Sequence, residues 1–507
     1  MLCLPALLLA GCMAGEGEAE VDIAIIGDPG DFALTGLRLT PAAQHLRAAT
    51  AEGLVAFDLQ GNVVPAAAER WIVTDDGLSY IFRLRDRDWP DGRPMTARSV
   101  KTALDRARAQ LDGTSLGLDL AVIEDVRAMA GRVVEIRLRQ PMGQFLPLLA
   151  QPELGLRQGR AGIGPMILAG EGTADDTQTR SPEDDAAIVL TAMPPEQRGL
   201  PEREDWDSIV RPVNVLAMDA AAAVARFEDG SVDAVLNGHI ANLSLADTGP
   251  LARGTIRIDP VNGLLGLRVA RPRGVLAEAD LREALAMALD RENLLQTFNV
   301  GGWQASTRIV PVTMWPATGA SADTDTDRNS GAPTERWSAM TLEERRVQAA
   351  QRIARWRQQS GVRASVSIAL DSGPGSARVF DVLQADLATI GVVLTRAEGS
   401  RDADLLLVDR AARYDDPLWF LNQFNCAVRR NVCSAEADSA VATSLTETDP
   451  LEQVRLRREA EDTLLALNSY IPLGAPVRWS LVRGGVDGFA ASPTGLHPLF
   501  PLARRPT

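Results

Sequence analysis

"WIVTDDGLSYIFRLR" spans residues 71–85. Leu78, Tyr80, Phe82 and Leu84 alternate with Ser79, Ile81, Arg83 and Arg85, the period of two that turns one face of a strand toward a core. Asp75-Asp76-Gly77 supplies a turn in which Gly77 is free to take positive φ. The stretch therefore predicts a β-hairpin. "DWPDGRPMTARSVKTALDRA" (88–107) follows it and predicts a second turn and then a helix.

Around this module lies a chain of 507 residues, long enough for two or three lobes with separate cores. Hydrophobic residues make up 46% and charged residues 23%, the balance of an ordinary soluble protein. The formal net charge of −15 argues against a nucleic-acid partner, which needs a basic surface. Lys101 is the only lysine, and "TARSVK" (96–101) has no glycine before it, so no phosphate-cradling P-loop is present there.

Catalytic and metal motifs are weak. "GTSLG" (113–117) matches the pattern of a nucleophile elbow around Ser115, but it follows the helix predicted over 97–111 instead of a strand. His45, His239 and His497 are scattered singly, without a cysteine or glutamate at ligand spacing. "DTDTDRN" (323–329) begins like a calcium loop, yet Arg328 stands where glycine is needed and Thr334 where glutamate is needed. These residues predict no enzyme, no metal site and no cofactor.

Leu2 to Gly11 is an apolar run too short to span a bilayer and of the length of a signal-peptide core. It ends in Leu9-Ala10-Gly11-Cys12, which resembles the bacterial lipoprotein box with Cys12 as the lipidated residue, although no Lys or Arg precedes the run. No other stretch approaches the length of a membrane span, so lipid alone would hold the exported chain. With Cys3 and Cys12 in the leader, Cys426 and Cys433 of "NCAVRRNVC" (425–433) remain. In an exported protein this spacing predicts a local disulfide.

Repeated α/β units fill the rest. Residues 211–238 read as strand, helix, strand, with Asp219 as N-cap and Gly230 ending the helix. Residues 364–395 repeat the plan, with Ser376 as the expected cap, Val379, Leu383, Leu387 and Ile390 on one face, and Gly391 as terminator. Asp280 with Glu283, and Thr341 with Glu344, have capping-box spacing before two further helices. The polar stretches 170–186 and 318–335 predict loops.

The whole chain then resembles a known family. "EGLVAFDLQGNVVPAAAERWIVTDDGLSYIFRLRDRDWPDGRPMTARSVKTALDRA" (52–107) is similar to the signature stretch of extracellular solute-binding proteins of the oligopeptide, dipeptide and nickel ABC transporters. It keeps Glu52-Gly53-Leu54, Pro65, Trp71, Asp76-Gly77, Tyr80, Phe82, Leu84-Arg85, Asp91-Gly92, Pro94 and Thr96-Ala97. "GIGPM" (162–166), "AAAAVARFEDGSVDAV" (220–235), "DLREALAMALDRENLLQ" (280–296), "VLQADLATIGVVL" (382–394) and "YIPLGAPVRWSLVRGGVDGF" (470–489) continue the resemblance in order.

That resemblance implies an α/β, two-lobed periplasmic-binding-protein fold, type II-like (cluster C), with an additional α/β domain on the first lobe. The expected division is a leader over 1–12, a first-lobe core from 20–43, 157–255 and 480–507, the additional domain over 44–156, and a second lobe over 256–479. The chain would cross between lobes near 255 and again near 480. The implied function is the substrate-binding component of an ABC importer, which captures a peptide-like or other small polar solute and delivers it to a permease coupled to an ATPase. The protein would be monomeric, periplasmic or at the cell surface, and lipid-anchored. The alternative is a non-transporting member acting as a solute sensor or chaperone-like binder.

In the peptide binders of the family, an aspartate four residues before a proline, and three after a tryptophan, pairs with the ligand's amino terminus. In "DRAARYDDPLWFLNQF" (409–424) those positions, counted from Pro417, hold Arg413 and Arg410. A cation cannot pair with an ammonium group. Either an arginine binds an anionic ligand group, or both pair with Asp409, Asp415 or Asp416, or the loop is shifted and Asp415 takes the amine. Tyr414, Trp419, Asn422 and Trp303 are the other candidate wall residues.

Overall fold

The computed structural model describes residues 20–33, 36–159, 161–169, 187–247, 254–315, 334–429 and 431–505. The leader with Cys3 and Cys12, the stretch 170–186, the motif 323–329 and most of 318–335 lie outside these residues. Among the described residues no helix is long and apolar enough to cross a membrane, and no group of His, Cys, Asp or Glu is placed to hold a metal ion.

Three sheets organise the chain. The first has seven strands in the order Met166–Leu168, Ile188–Ala192, Val213–Met218, Val21–Ile26, Ala234–Gly238, Arg478–Val482 and Ile256–Asp259. Val21–Ile26 runs parallel to both of its neighbours, Val213–Met218 and Ala234–Gly238. Its two faces enter two different cores, Val21, Ile23 and Ile25 on one side and Ala24 and Ile26 on the other. Burial on both faces explains a strand that is apolar nearly throughout. The crossover helix Ala220–Asp229 starts at Asp219, which accepts from the Ala221 and Ala222 N–H groups, and ends at the left-handed Gly230, as expected.

The second sheet has five strands in the order Val393–Arg396, Ser365–Ala369, Leu405–Ala411, Gly263–Val269 and Tyr470–Gly474. A Cβ at Gly266 would collide with the Tyr470 ring, so glycine is required where these strands pass. The chain leaves the first sheet after Asp259 and returns to it at Arg478. The expected boundary at 255 therefore falls one strand too early, because Ile256–Asp259 still pairs with Arg478–Val482. The boundary at 480 falls inside the returning strand.

The third sheet is antiparallel, Ala68–Val73, Ser79–Leu84, Val133–Leu138 and Ile123–Ala128. Its first two strands are the hairpin read from residues 71–85, with Gly77 at φ 68° and Tyr80, Phe82 and Leu84 buried. Helix Ala97–Gln110 opens with a capping box between Thr96 and Ser99, and Trp89 Nε1 donates to Ser99 Oγ at 2.9 Å. Glu52, 6% exposed, pairs within this domain with Arg87 (3.1 Å) and reaches Arg198 (3.6 Å) outside it.

Two expected caps are corrected. Helix Pro374–Ala388 begins with Pro374 in its first turn, and Ser376 lies inside it, fully buried, not at its cap. Asp280 also caps nothing: the helix Ala279–Ala288 starts after Glu278, and Glu283 pairs with Arg352 and Arg336. A second helix, Arg291–Gln296, is capped by Asp290. Thr341 and Glu344 do form their capping box ahead of Leu342–Ser360. Ser115 opens the short helix Ser115–Asp119, but after a helix and a turn, the wrong setting for a nucleophile elbow.

Cys426 and Cys433 form the expected disulfide. Closing so short a loop restricts the unfolded chain by about 2.5 kcal/mol. Cys426→Ser with Cys433→Ser is expected to lower the free energy of urea unfolding by about that amount, with m unchanged.

Candidate ligand-binding seam

The segment carrying the candidate ligand residues leaves the second sheet at Ala411 and enters helix Pro417–Asn422, capped by the Asp416 carboxylate on the Leu418 N–H. It packs against two pieces of the additional domain, helix Ser115–Asp119 and the turn Pro152–Leu154. Leu116, Leu120, Leu148 and Leu154 from that domain share one apolar cluster with Tyr414, Leu418, Trp419 and Leu421. Each large side chain so buried contributes about 1.5–3 kcal/mol relative to exposure, so the two bodies meet along a closed apolar seam.

Two polar links cross the seam. Arg413 Nη1 and Nη2 donate to Glu153 Oε2 and Oε1 at 2.8 and 2.7 Å, a two-pronged pair. Gln151 completes the clamp, accepting from Arg413 Nη1 at 3.1 Å and donating to the Arg413 carbonyl at 3.0 Å. Glu153 is 1% exposed and also accepts from Gln44 Nε2. The second link is Asn422 Nδ2 donating to Asp119 Oδ1 at 2.7 Å.

Beside that link stand two buried polar groups. Asp119 Oδ2 and the Tyr414 hydroxyl are buried side by side, a loose donor–acceptor pair, and neither meets any other hydrogen-bonding group. Burial pushes the Asp119 carboxyl up to about 7, against the pull of Asn422 and of the Arg413 charge. The same burial, with Asp119 beside it, raises the Tyr414 hydroxyl well above the ordinary phenol range.

The other candidates are placed as follows. Arg410 is exposed on strand Leu405–Ala411, and its Nη1 donates to Gln423 Oε1 at 3.1 Å. Asp415 is exposed and accepts from Asn262 Nδ2, in the crossing between the sheets. Asp409 pairs with Arg478, and Asp416 lies 3.6 Å from Arg457. Neither arginine thus pairs with Asp409, Asp415 or Asp416. Arg413, read from the sequence as a free anion ligand or as a partner of those acids, is held by a carboxylate of the facing domain. Trp419 is 2% exposed and packs edge-on against Phe420 at 4.9 Å. Trp303 is not brought to this group: it packs on Phe298 and donates to the Ala475 carbonyl, by the return crossing.

Asp119 and Glu153 were missed in the sequence. Each is a lone carboxylate inside an apolar run, "SLGLDLAV" (115–122) and "FLPLLAQPELGL" (145–156), and a lone acid among buried neighbours needs a partner.

Residues 62–431 match the model of the bacterial extracellular solute-binding proteins, family 5 Middle. The chain is 26% identical over 472 residues to the glutathione-binding protein GsiB of Salmonella paratyphi A, covering 87% of this chain and 86% of that one. It superposes on Haemophilus influenzae OppA in complex with RPPGFSPFR at a TM-score of 0.76, 17% identity, over 97% of this chain and 99% of that one. It superposes equally, at 0.76 and 18% identity, on the murein tripeptide binding protein MppA of Escherichia coli, over 96% and 98% of the two chains. The two-lobed architecture of those structures is the architecture of this chain.

Proposed function

Since the chain belongs to family 5 of the bacterial extracellular solute-binding proteins and is the substrate-binding component of an ABC importer, we propose that it grips a peptide-like or other small polar solute at the seam, with Asp119 and Tyr414 meeting the solute's polar end. The supporting observation is the buried pair Asp119 Oδ2 and Tyr414 Oη, which meet only each other and without good hydrogen-bond geometry. A buried polar group left fully unsatisfied costs about 1–3 kcal/mol, so a ligand donor that completes this poorly aligned pair would recover part of that. The acid that in peptide binders stands at the position of Arg413 is then replaced by one on the opposite wall.

Both atoms are shut in, so a solute reaches them only when the lobes part. Ligand contacts made only in the closed form would shift the population toward it, and that form would be offered to the permease. Trp419 supplies apolar wall, while Arg410 is held by Gln423 of its own lobe and takes no part in the grip. Asp415 and Trp303 take secondary places, the first tied to Asn262 and the second standing at the return crossing.

The three sheets support the division into a first-lobe core, an additional domain over 44–156 and a second lobe, with crossings after Asp259 and before Arg478. The family's extracellular character supports a periplasmic location. Lipidation at Cys12 and a monomeric state complete the reading.

Glutathione and tripeptides with free and acetylated amino termini are the first probes, taken from the names of the relatives. A probe at 100 times its Kd should stabilise the chain by about 2.7 kcal/mol. Asp119→Asn and Tyr414→Phe are expected to lose most of that shift, and Asp415→Asn to keep it. A full shift in Asp119→Asn would contradict the proposed role.

A further inference from the structure

Away from the seam, the second lobe gathers arginines that meet no acid. Strand Gly263–Val269 pairs antiparallel with Leu405–Ala411, with Leu264 opposite Arg410 and Arg268 opposite Leu406. Opposed residues share a face and alternate residues return to it, so Arg268 and Arg410 project from the same side of the sheet. Arg429 reaches that side from the disulfide loop, its Nε donating to the Gln423 carbonyl at 3.1 Å. Among the described residues none of the three pairs with a carboxylate. The charges acting on Arg429 are those of Arg268 and Arg410, and burial together with those two cations pulls it down to about 10. In a chain with 67 acidic and 52 basic residues, a cationic cluster without a counter-ion calls for one.

A cavity of about 240 Å³ opens between the strand and the disulfide loop, lined by Arg268 and Arg429 with Ser469. Ser469 is 3% exposed, and its hydroxyl has no hydrogen-bond partner. Phe424 and Val428 close the apolar side. Two guanidinium forks and a hydroxyl donor around one small cavity have the chemistry that holds anionic oxygens in bidentate hydrogen bonds.

We infer that this cavity is an oxyanion site, taking a phosphate or carboxylate group through Arg268, Arg429 and the Ser469 hydroxyl, with Arg410 adding charge at its edge. All of its residues belong to the second lobe, so the site does not depend on solute capture at the seam.

The test is calorimetric titration of the full chain with inorganic phosphate and, separately, with acetate, at ionic strength held constant with sodium chloride. Saturable binding of one equivalent is expected. Arg268→Ala and Arg429→Ala should each weaken it about tenfold or more, and Arg455→Ala, on the solvent face of helix Pro450–Leu467, should leave it unchanged. Whichever anion binds in this Arg268- and Arg429-dependent way identifies the group. Because the cluster repels itself when empty, Arg429→Gln should also raise the unfolding midpoint in anion-free buffer, a readout that needs no ligand. No saturable heat with either anion, or binding indifferent to both arginines, would overturn the inference.

Discussion

Arg413→Ala is expected to destabilise the chain by about 3 kcal/mol and to part the seam. Removing one member of a buried ion pair leaves the other uncompensated, at a typical cost of about 3–5 kcal/mol. The lower end applies because the Arg413 side chain keeps 24% exposure and Glu153 retains its bond from Gln44. Adding Glu153→Ala should recover a large part of the loss, since the orphaned carboxylate disappears with it. Arg413→Asp would restore the acid of the peptide binders, but it would face Glu153 across the seam. This variant should be less stable than Arg413→Ala and more expanded in solution scattering. Equal stability of all these variants in urea unfolding would show that the pair does not hold the closed form.

The second large effect concerns pH. Asp119 titrates at about 7 in the fold, against 3.8 ordinarily, because burial disfavours its charge. A folded value above the unfolded one means the protonated carboxyl stabilises fully below pH 3.8, and that contribution is lost as pH rises through 7. Asn at this position carries no charge at any pH and can keep the bond from Asn422. The stability of Asp119→Asn relative to the parent chain should therefore grow by about 2.5 kcal/mol between pH 5 and pH 8. A gain in stability at pH 8 together with poorer solute binding is the signature of a residue kept for function. A difference that does not change with pH would mean that Asp119 is ionised throughout.

What could be read in advance followed local physics. The hairpin over 71–85 carries its own alternation and turn, so no distant contact was needed to place it. Asp219 and Thr341 were identified as caps because no competing signal stood nearby. Ser376 was misplaced because Pro374, acceptable in a first helical turn, started the helix earlier. Asp280 caps nothing because the helix already starts after Glu278, and its end at Leu289 is followed by a new cap at Asp290, with no glycine or proline to mark the break.

The site divided along the same line. The segment bearing Arg413, Tyr414 and Asn422 was legible from its distance to Pro417. The partners of those side chains were not, since Glu153 and Asp119 lie 260 and 303 residues away in sequence. Only the fold brings them together. Near the chain, Asp409, Asp415 and Asp416 were the obvious acids, but each is occupied elsewhere, by Arg478, Asn262 and the N-terminus of helix Pro417–Asn422.

Solute capture at the seam requires this chain to close over a small molecule. Native mass spectrometry of the chain recovered from a bacterial periplasm without refolding tests it most directly. A stoichiometric small-molecule adduct, lost on denaturation and depleted in Asp119→Asn, is the expected result. A bare protein mass that also stays bare after incubation with glutathione, peptide and anion panels would contradict it.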